Sequence, residues 1–281
     1  MRRYQSVLLL LCFLSITACS SSTMFCNAFI EFIDNNDGTV TEKSSGLIWQ
    51  KEDDGQVRTA IEALSYCKDL RLGGYSDWRL PFKKELITLV DYKVTSGATI
   101  NKVFATGTKA SNYWSASGFV GNTDLVWFVA FDKGFAYYYN NSSKFYVRCV
   151  RGESSITPIF VDNKNGTITD RNSCFMWQKN ESSAMTWEEA VNYCKALRLG
   201  GYSDWQLPDV HMLQSITDEK RFKPAIDAAF FPSAVSGHYW TVTEYAFDNK
   251  QAWDVGFGNG DAYFHDKEEK ANVRCVRRRE I

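Results

Sequence analysis

The chain has 281 residues, of which 44% are hydrophobic and 23% are charged. This composition excludes a disordered or collagen-like chain and supplies enough apolar residues for a sizeable core. The formal net charge of -1 offers no electrostatic reason to expect a nucleic acid as a partner. At roughly 100 to 200 residues per domain, the length predicts about two domains.

The N-terminus has the pattern of a bacterial lipoprotein signal. Arg2 and Arg3 precede a short apolar run at residues 7–14, and small residues lead up to Cys19. The run is too short to span a membrane, which takes about 20 apolar residues. We predict a signal peptide over residues 1–18, lipid attachment at Cys19 and a polar tether over residues 19–27. An ordinary secretion signal cleaved nearby is the alternative.

Two copies of one unit make up the rest of the chain. YCKDLRLGGYSDWRLP at residues 66–81 and YCKALRLGGYSDWQLP at residues 193–208 match at 14 of 16 positions. The register continues through Trp127 with Trp253 to VRCVR at residues 147–151 and 273–277. A period this long indicates a domain duplication. We place the copies at residues 28–152 and 158–279, joined by a linker rich in Gly, Ser and Pro.

Each copy opens with a predicted β-hairpin. Asp37-Gly38 in copy one and Asn165-Gly166 in copy two separate β-prone runs, and both pairs favour a tight turn. A calcium loop is the alternative, because Asp34, Asn36 and Asp37 offer clustered oxygen atoms. The glycine comes too early for EF-hand spacing and no downstream glutamate completes the loop, so the turn is favoured.

Two helices and a run of strands follow in each copy. Thr59 with Glu62, and Thr186 with Glu189, have the spacing of capping boxes. We expect Ile61 and Leu64 to supply the apolar face of the first helix, and the Gly pair at 73–74 to end it. A second helix is predicted near Pro81 and near Pro208. Alternating strands in the last third complete an α+β unit with an antiparallel sheet.

Eight cysteines constrain the fold. Cys67 and Cys149 recur in copy two as Cys194 and Cys275, and the simplest pairing is within each copy, from the first helix to the last strand. Cys26 and Cys174 have no cysteine at the matched position, so they either bridge the copies or stay free. Export would expose all of these thiols to an oxidising compartment. The cysteine spacings do not suggest a zinc site.

These motifs together resemble the Lcl C-terminal domain family of bacterial proteins. The resemblance rests on the NDGT and GLIWQ openings, the helix with its cysteine, GGYSDWRLP, YWS and the closing YVRCVRG. It implies two tandem C-type-lectin-like domains, each closed by a disulfide from the helix to the last strand. It also implies an exported or surface-anchored protein, and at least one member of the family is linked to attachment to host glycans. The calcium-binding loop motifs of true C-type lectins are missing, so we predict no calcium-dependent sugar site.

Catalytic groups are sparse in the sequence. His211, His238 and His265 all lie in copy two and have no counterparts in copy one. Asp77 and Asp204 each precede a repeated tryptophan, where fixing a loop is favoured over catalysis. No common nucleophile, zinc-protease or phosphate-loop motif is present. We therefore predict that the protein is not an enzyme and has neither a metal nor a cofactor.

The aromatic residues provide the candidate ligand surface. Most tryptophans recur at matched positions, which is typical of core residues. The segments at residues 137–139 and 263–265 differ between the copies and are predicted to form a variable binding surface. Its residues are Tyr137, Tyr138, Tyr139, Tyr263, Phe264 and His265.

The sequence thus predicts a lipid-anchored binding or adhesion module of the cell envelope. It would be periplasmic or surface-exposed, on the outer membrane in a Gram-negative cell, with a glycan or an envelope or host protein as ligand. A structural or assembly accessory of the envelope is the alternative, followed by an enzyme acting on envelope material.

Lipid attachment is directly testable. In cells grown with labelled palmitate, the wild-type protein should carry label and Cys19→Ala should not, because only the thiol of Cys19 accepts the diacyl group. Cys26→Ala serves as the matched control and should stay labelled. Label on Cys19→Ala would contradict this anchor.

Overall fold

The computed structural model describes residues 31–153 and 157–279, and the two copies have nearly the same elements. Copy one contains β1 (Phe32–Asp34), β2 (Thr39–Glu42), β3 (Ile48–Gln50), α1 (Ala60–Asp69), α2 (Lys83–Ile87), a 3-10 helix (Lys102–Gly107), β4 (Asn112–Gly118), β5 (Leu125–Ala130), β6 (Ala136–Asn140) and β7 (Val150–Arg151). Copy two contains β8 (Phe160–Asp162), β9 (Thr167–Asp170), β10 (Phe175–Gln178), β11 (Ser182–Met185), α3 (Trp187–Ala196), α4 (Val210–Ser215), β12 (His238–Glu244), β13 (Gln251–Gly256), β14 (Asp261–Asp266), β15 (Ala271–Val273) and β16 (Val276–Arg278). The α+β class is confirmed.

The predicted N-terminal hairpins form. β1 pairs with β2 in antiparallel register, and Gly38 in the turn has φ +85°. The oxygen atoms considered as calcium ligands serve the turn itself: Asp34 Oδ1 accepts from the backbone N–H of Asn36, and Asp37 Oδ1 accepts from that of Thr39. Lys51 Nζ also lies 2.7 Å from Asp34 Oδ2. The acidic side chains of this cluster therefore stabilise the turn.

The helix starts are confirmed, but the buried face of α1 was predicted wrongly. Both capping boxes are present, at Thr59 with Glu62 and at Thr186 with Glu189. Ile61 is 70% exposed and Leu64 is 50% exposed. The buried residues of α1 are the small ones, Ala60, Ala63 and Cys67. Small side chains let the helix approach the sheet closely enough for Cys67 to reach the last strand.

The glycine pairs do not end the helices. α1 ends at Asp69 with Leu70 as its C-cap, before Gly73 and Gly74. These glycines instead form a turn between Leu72 and Tyr75, with φ +59° and +79°. A Cβ on Gly73 would lie 2.6 Å from Thr39 Cγ2, so the turn can pack on the N-terminal hairpin only without a side chain.

Both predicted intra-copy disulfides are present. Cys67 bonds to Cys149, and Cys194 bonds to Cys275, each with a Cα–Cα distance of 5.5 Å. All four side chains are buried within apolar clusters. Cys19, Cys26 and the predicted signal and tether lie outside the described residues, so lipidation and the Cys26–Cys174 bridge stay predictions. Among the described helices, none is long and apolar enough to cross a membrane.

The sequence suggested a separate sheet in each copy, but the two copies share one large sheet. Each N-terminal hairpin belongs to a small four-stranded sheet, in the orders β1-β2-β3-β7 and β16-β10-β9-β8. The remaining strands of both copies join one eight-stranded sheet of order β11-β15-β12-β13-β14-β6-β5-β4. The copies meet at β6 and β14, where Ala136 pairs with Ala262 in antiparallel register. These alanines occupy matched positions, so the pairing has approximate two-fold symmetry.

Buried polar contacts hold the copies together beside this seam. Lys83 on α2 is fully buried, and its Nζ donates to the carbonyl of Gly260 at 2.7 Å while lying 4.1 Å from the centre of the Trp127 ring. Burial lowers the pKa of Lys83. Glu219 of copy two accepts bonds from the backbone N–H of Lys84 and from the hydroxyl of Ser117. The counterpart of Lys83 in copy two is Val210. The strand pairing at the interface is therefore symmetric, but the side chains beside it are not.

The disulfides should contribute measurably to stability. They span 82 and 81 residues, for which the chain-entropy model gives at most about 4.5 kcal/mol each. We expect non-reducing peptide mapping to recover Cys67–Cys149 and Cys194–Cys275 peptides. The pair Cys67→Ser with Cys149→Ser should lower the denaturant midpoint. A Cys67–Cys194 peptide would contradict the pairing.

The contact of Glu219 with copy one should also be measurable. Glu219→Ala leaves two donors at the interface without their acceptor, which costs about 1–3 kcal/mol in the free energy of unfolding. Glu268→Ala removes an exposed carboxylate of the same copy and should change that free energy by less than about 0.5 kcal/mol. Chemical denaturation of both variants measures the difference, and equal effects would contradict this role of Glu219.

Candidate functional site

The two predicted aromatic segments lie side by side at the seam. Residues 137–139 are in β6 and residues 263–265 are in β14, and these strands are neighbours in the shared sheet. Tyr137, Tyr139 and Tyr263 are 42%, 54% and 44% exposed. Tyr138, Phe264 and His265 are half-buried. All six residues of the candidate surface therefore come from adjacent strands, although 123 residues lie between the two segments in the chain.

A stack of three rings recurs in each copy at this surface. In copy one, Tyr138 stacks on Phe119 with ring centroids 3.9 Å apart, and Tyr137 stacks on Tyr138 at 4.5 Å. In copy two, Phe264 stacks on Tyr245 at 3.8 Å, and Tyr263 stacks on Phe264 at 4.7 Å. The inner rings are held by packing, and each stack ends in an exposed tyrosine. Such a ring offers an apolar face with a hydroxyl at its edge.

The tryptophans, in contrast, are core residues. Eight of the nine are at most 3% exposed: Trp49, Trp78, Trp114, Trp127, Trp177, Trp205, Trp240 and Trp253. Trp187 is partly buried against the disulfide cluster of copy two. The prediction that most tryptophans belong to the core is confirmed. The accessible aromatic rings at the seam therefore belong to tyrosines and not to tryptophans.

Asp77 and Asp204 have structural partners. Asp77 forms two hydrogen bonds with the guanidinium of Arg151, and Asp204 forms the same two bonds with that of Arg277, at 2.7 and 3.0 Å. The arginines belong to the closing VRCVR strands. Each aspartate thus ties the Gly-Gly turn region to the last strand, which agrees with the loop-fixing interpretation. The arginine hydrogen bond lowers the pKa of both carboxyl groups.

A polar cluster forms on β12, β13 and β14 of copy two. The Nδ1 atom of His238 lies 2.7 Å from Asp254 Oδ1, and the Nδ1 atom of His265 hydrogen-bonds to Oδ2 of the same carboxylate. The two imidazole centroids are 4.9 Å apart. Asp254 is fully buried, whereas the side chains of His238 and His265 are 50% and 32% exposed. Hydrogen bonding to Asp254 raises the pKa of both imidazoles.

The sequence did not indicate that His238 and His265 share a partner. The missing residue was Asp254, which lies between two buried positions of an apolar strand. Comparison of the copies contained the signal, because the matched residue in copy one is Phe128. His211 does not join the cluster: its Nε2 lies 3.2 Å from the Val90 carbonyl of copy one, and burial lowers its pKa.

Comparison with known proteins supports the division of the chain into two copies. No curated protein matches the sequence significantly. The profile of the Lcl C-terminal domain matches residues 38–151 and again residues 166–277, one match to each structural copy. The two matches together cover most of the sequence, so the chain belongs to the Lcl C-terminal domain family and contains two domains of it in tandem.

Proposed function

We propose that the protein is a membrane-anchored bacterial lipoprotein that acts as a non-catalytic binding or adhesion module of the cell envelope. Its ligand is a glycan or a protein, and its binding surface lies at the seam between the two domains. The observation that carries the proposal is the pair of three-ring stacks, each ending in an exposed tyrosine, on neighbouring strands.

The chemistry of that surface favours a sugar-containing ligand. Pyranose rings have an apolar face that packs on aromatic rings, while their hydroxyl groups need polar partners nearby. Tyr137 and Tyr263 provide the ring faces, and their own hydroxyl groups provide donors and acceptors. Because the inner rings already hold each outer tyrosine in place, binding would order few additional side chains.

The envelope location rests on two features. The lipoprotein signal at residues 1–18 and the lipid on Cys19 supply the anchor, and the two disulfides suit an oxidising compartment. A C-type-lectin-like fold is part of the proposal, supported by a disulfide that joins the first helix of each domain to its closing strand region. Binding without calcium is also part of it, since the acidic turn of each hairpin is engaged in its own hydrogen bonds.

The binding surface is testable with a glycan and extracellular-matrix array. We expect saturable binding that persists in EDTA and weakens about twofold to tenfold with Tyr137→Ala or Tyr263→Ala, since an aromatic contact contributes about 0.5–1.5 kcal/mol. Tyr75→Ala is the matched control, because Tyr75 is 37% exposed and lies in a turn away from the seam strands. This control should bind as the wild type does.

Other outcomes would point elsewhere. If nothing on the array binds, and cross-linking in cells captures one envelope protein, the structural or assembly role replaces the adhesion role. Turnover of a peptidoglycan or ester substrate that is lost with Asp77→Ala or His265→Ala would contradict the non-catalytic assignment.

A further inference from the structure

The cluster of His238, Asp254 and His265 has the composition of a metal site. Each residue offers one ligand atom, and these atoms all lie within 4.8 Å of one another. The three residues come from three consecutive strands of the shared sheet, so backbone pairing fixes their spacing. Trp240 pairs with Asp254 across β12 and β13, and Ala252 pairs with His265 across β13 and β14.

Copy one has an aromatic cluster at the matched positions. There, Phe128 contacts Phe135 and Phe145 with ring centroids 6.1 and 5.0 Å apart, and Tyr139 lies 6.0 Å from Phe145. The register between the copies is constant over this region, with an offset of 126 residues. At this offset, the counterparts of the four aromatic residues in copy two are Asp254, Asp261, His265 and Ala271. One strand framework therefore carries apolar contacts in copy one and a polar cluster in copy two.

Burying Asp254 requires compensation. A carboxylate without access to water is costly unless it is paired with positive charge or coordinates a metal. His238 and His265 each hydrogen-bond to one oxygen of this carboxylate through Nδ1, and they add positive charge only when they are protonated. Two further acids act electrostatically on His238, namely Asp261 and Glu269. These acids favour positive charge at the cluster, which protonation of the imidazoles or a bound cation can supply.

We propose that His238, Asp254 and His265 bind a divalent transition-metal cation of the zinc class, with one coordination position left open to solvent. Two imidazoles and one carboxylate, with water as the fourth ligand, are a common zinc donor set. Calcium and magnesium are disfavoured, because they prefer oxygen ligands. The site goes beyond the proposed binding function and does not depend on it.

The geometry needs only a small adjustment to hold the ion. Zinc bonds of about 2.0–2.1 Å place tetrahedral ligand atoms about 3.3 Å apart. Both Nδ1 atoms already face the carboxylate of Asp254. To bind the cation, each Nδ1 must lose the proton that it shares with the carboxylate: a neutral imidazole then carries its proton on Nε2, and an imidazolium releases one proton to solvent. The exposed edges of His238 and His265 give the ion a path from water.

The open position would lie near the aromatic surface. The ring of Tyr263 is 5.7 Å from that of His265, and Tyr263 is the exposed end of the copy-two stack. A carboxylate or hydroxyl group of a ligand could therefore reach the ion while its apolar part contacts the tyrosine. Copy one lacks this arrangement, because it has Asn112, Phe128 and Tyr139 instead.

Metal titration of the full-length chain in detergent, prepared without a histidine tag, tests the proposal. We expect one zinc ion per chain by equilibrium dialysis, and cobalt(II) should give the visible absorption bands of a tetrahedral site. Asp254→Asn and His265→Gln should each bind zinc at least about tenfold more weakly and lose the cobalt bands. Asp266→Asn removes an exposed carboxylate next to His265 and should bind as the wild type does.

Thermal unfolding separates loss of the site from loss of the fold. Zinc should raise the Tm of the wild type and of Asp266→Asn, because it binds only the folded chain, and it should leave the Tm of Asp254→Asn unchanged. Cooperative unfolding of Asp254→Asn in EDTA shows that this variant is folded. The proposal is wrong if the folded wild type binds no zinc at micromolar concentrations, or if Asp254→Asn binds zinc as tightly as the wild type.

Discussion

The pairing of β6 with β14 is the interaction on which the rest of the molecule depends. Each strand would otherwise form an open sheet edge, with unpaired N–H and C=O groups available to other chains. Ala136 and Ala262 pair at matched positions and are both 1% exposed, so the two domains associate as the halves of a symmetric dimer do. One sheet of eight strands results, and the candidate ligand surface lies where the halves meet.

The duplication also shows where the two domains have taken different roles. Matched positions keep the disulfide, the buried tryptophans and the aspartate–arginine pairs, because each domain needs them to close its own fold. They differ at particular positions of the domain interface and of the shared sheet. Lys83 faces Gly260 across the interface while its counterpart is Val210, and Phe128 corresponds to Asp254. Stability therefore accounts for the shared core, the ring stacks also recur in both copies, and the histidine–aspartate cluster lies where the copies differ.

Two surfaces of different chemistry are adjacent in this arrangement. The ring stacks offer apolar faces from both domains, and the histidine–aspartate cluster offers polar atoms from copy two. Tyr263 belongs to the ring stack of copy two, and its ring lies next to that of His265 in the histidine–aspartate cluster. A ligand with an apolar ring and a charged or hydroxyl group would contact both, which a surface duplicated without divergence could not provide.

The sequence by itself determined the two domains, the capping boxes, the hairpin turns and the disulfides. These features are local, or they are repeated so closely that the matched cysteines identify each other. Tertiary structure decided the rest. Ile61 and Leu64 are apolar yet exposed, because packing selected the small face of α1 for close contact with the sheet. The shared sheet and the cluster around Asp254 depend on which strands pair and in what register. Backbone hydrogen bonds are the same for every residue, so they do not select the partner strand. Packing of the whole fold makes that choice.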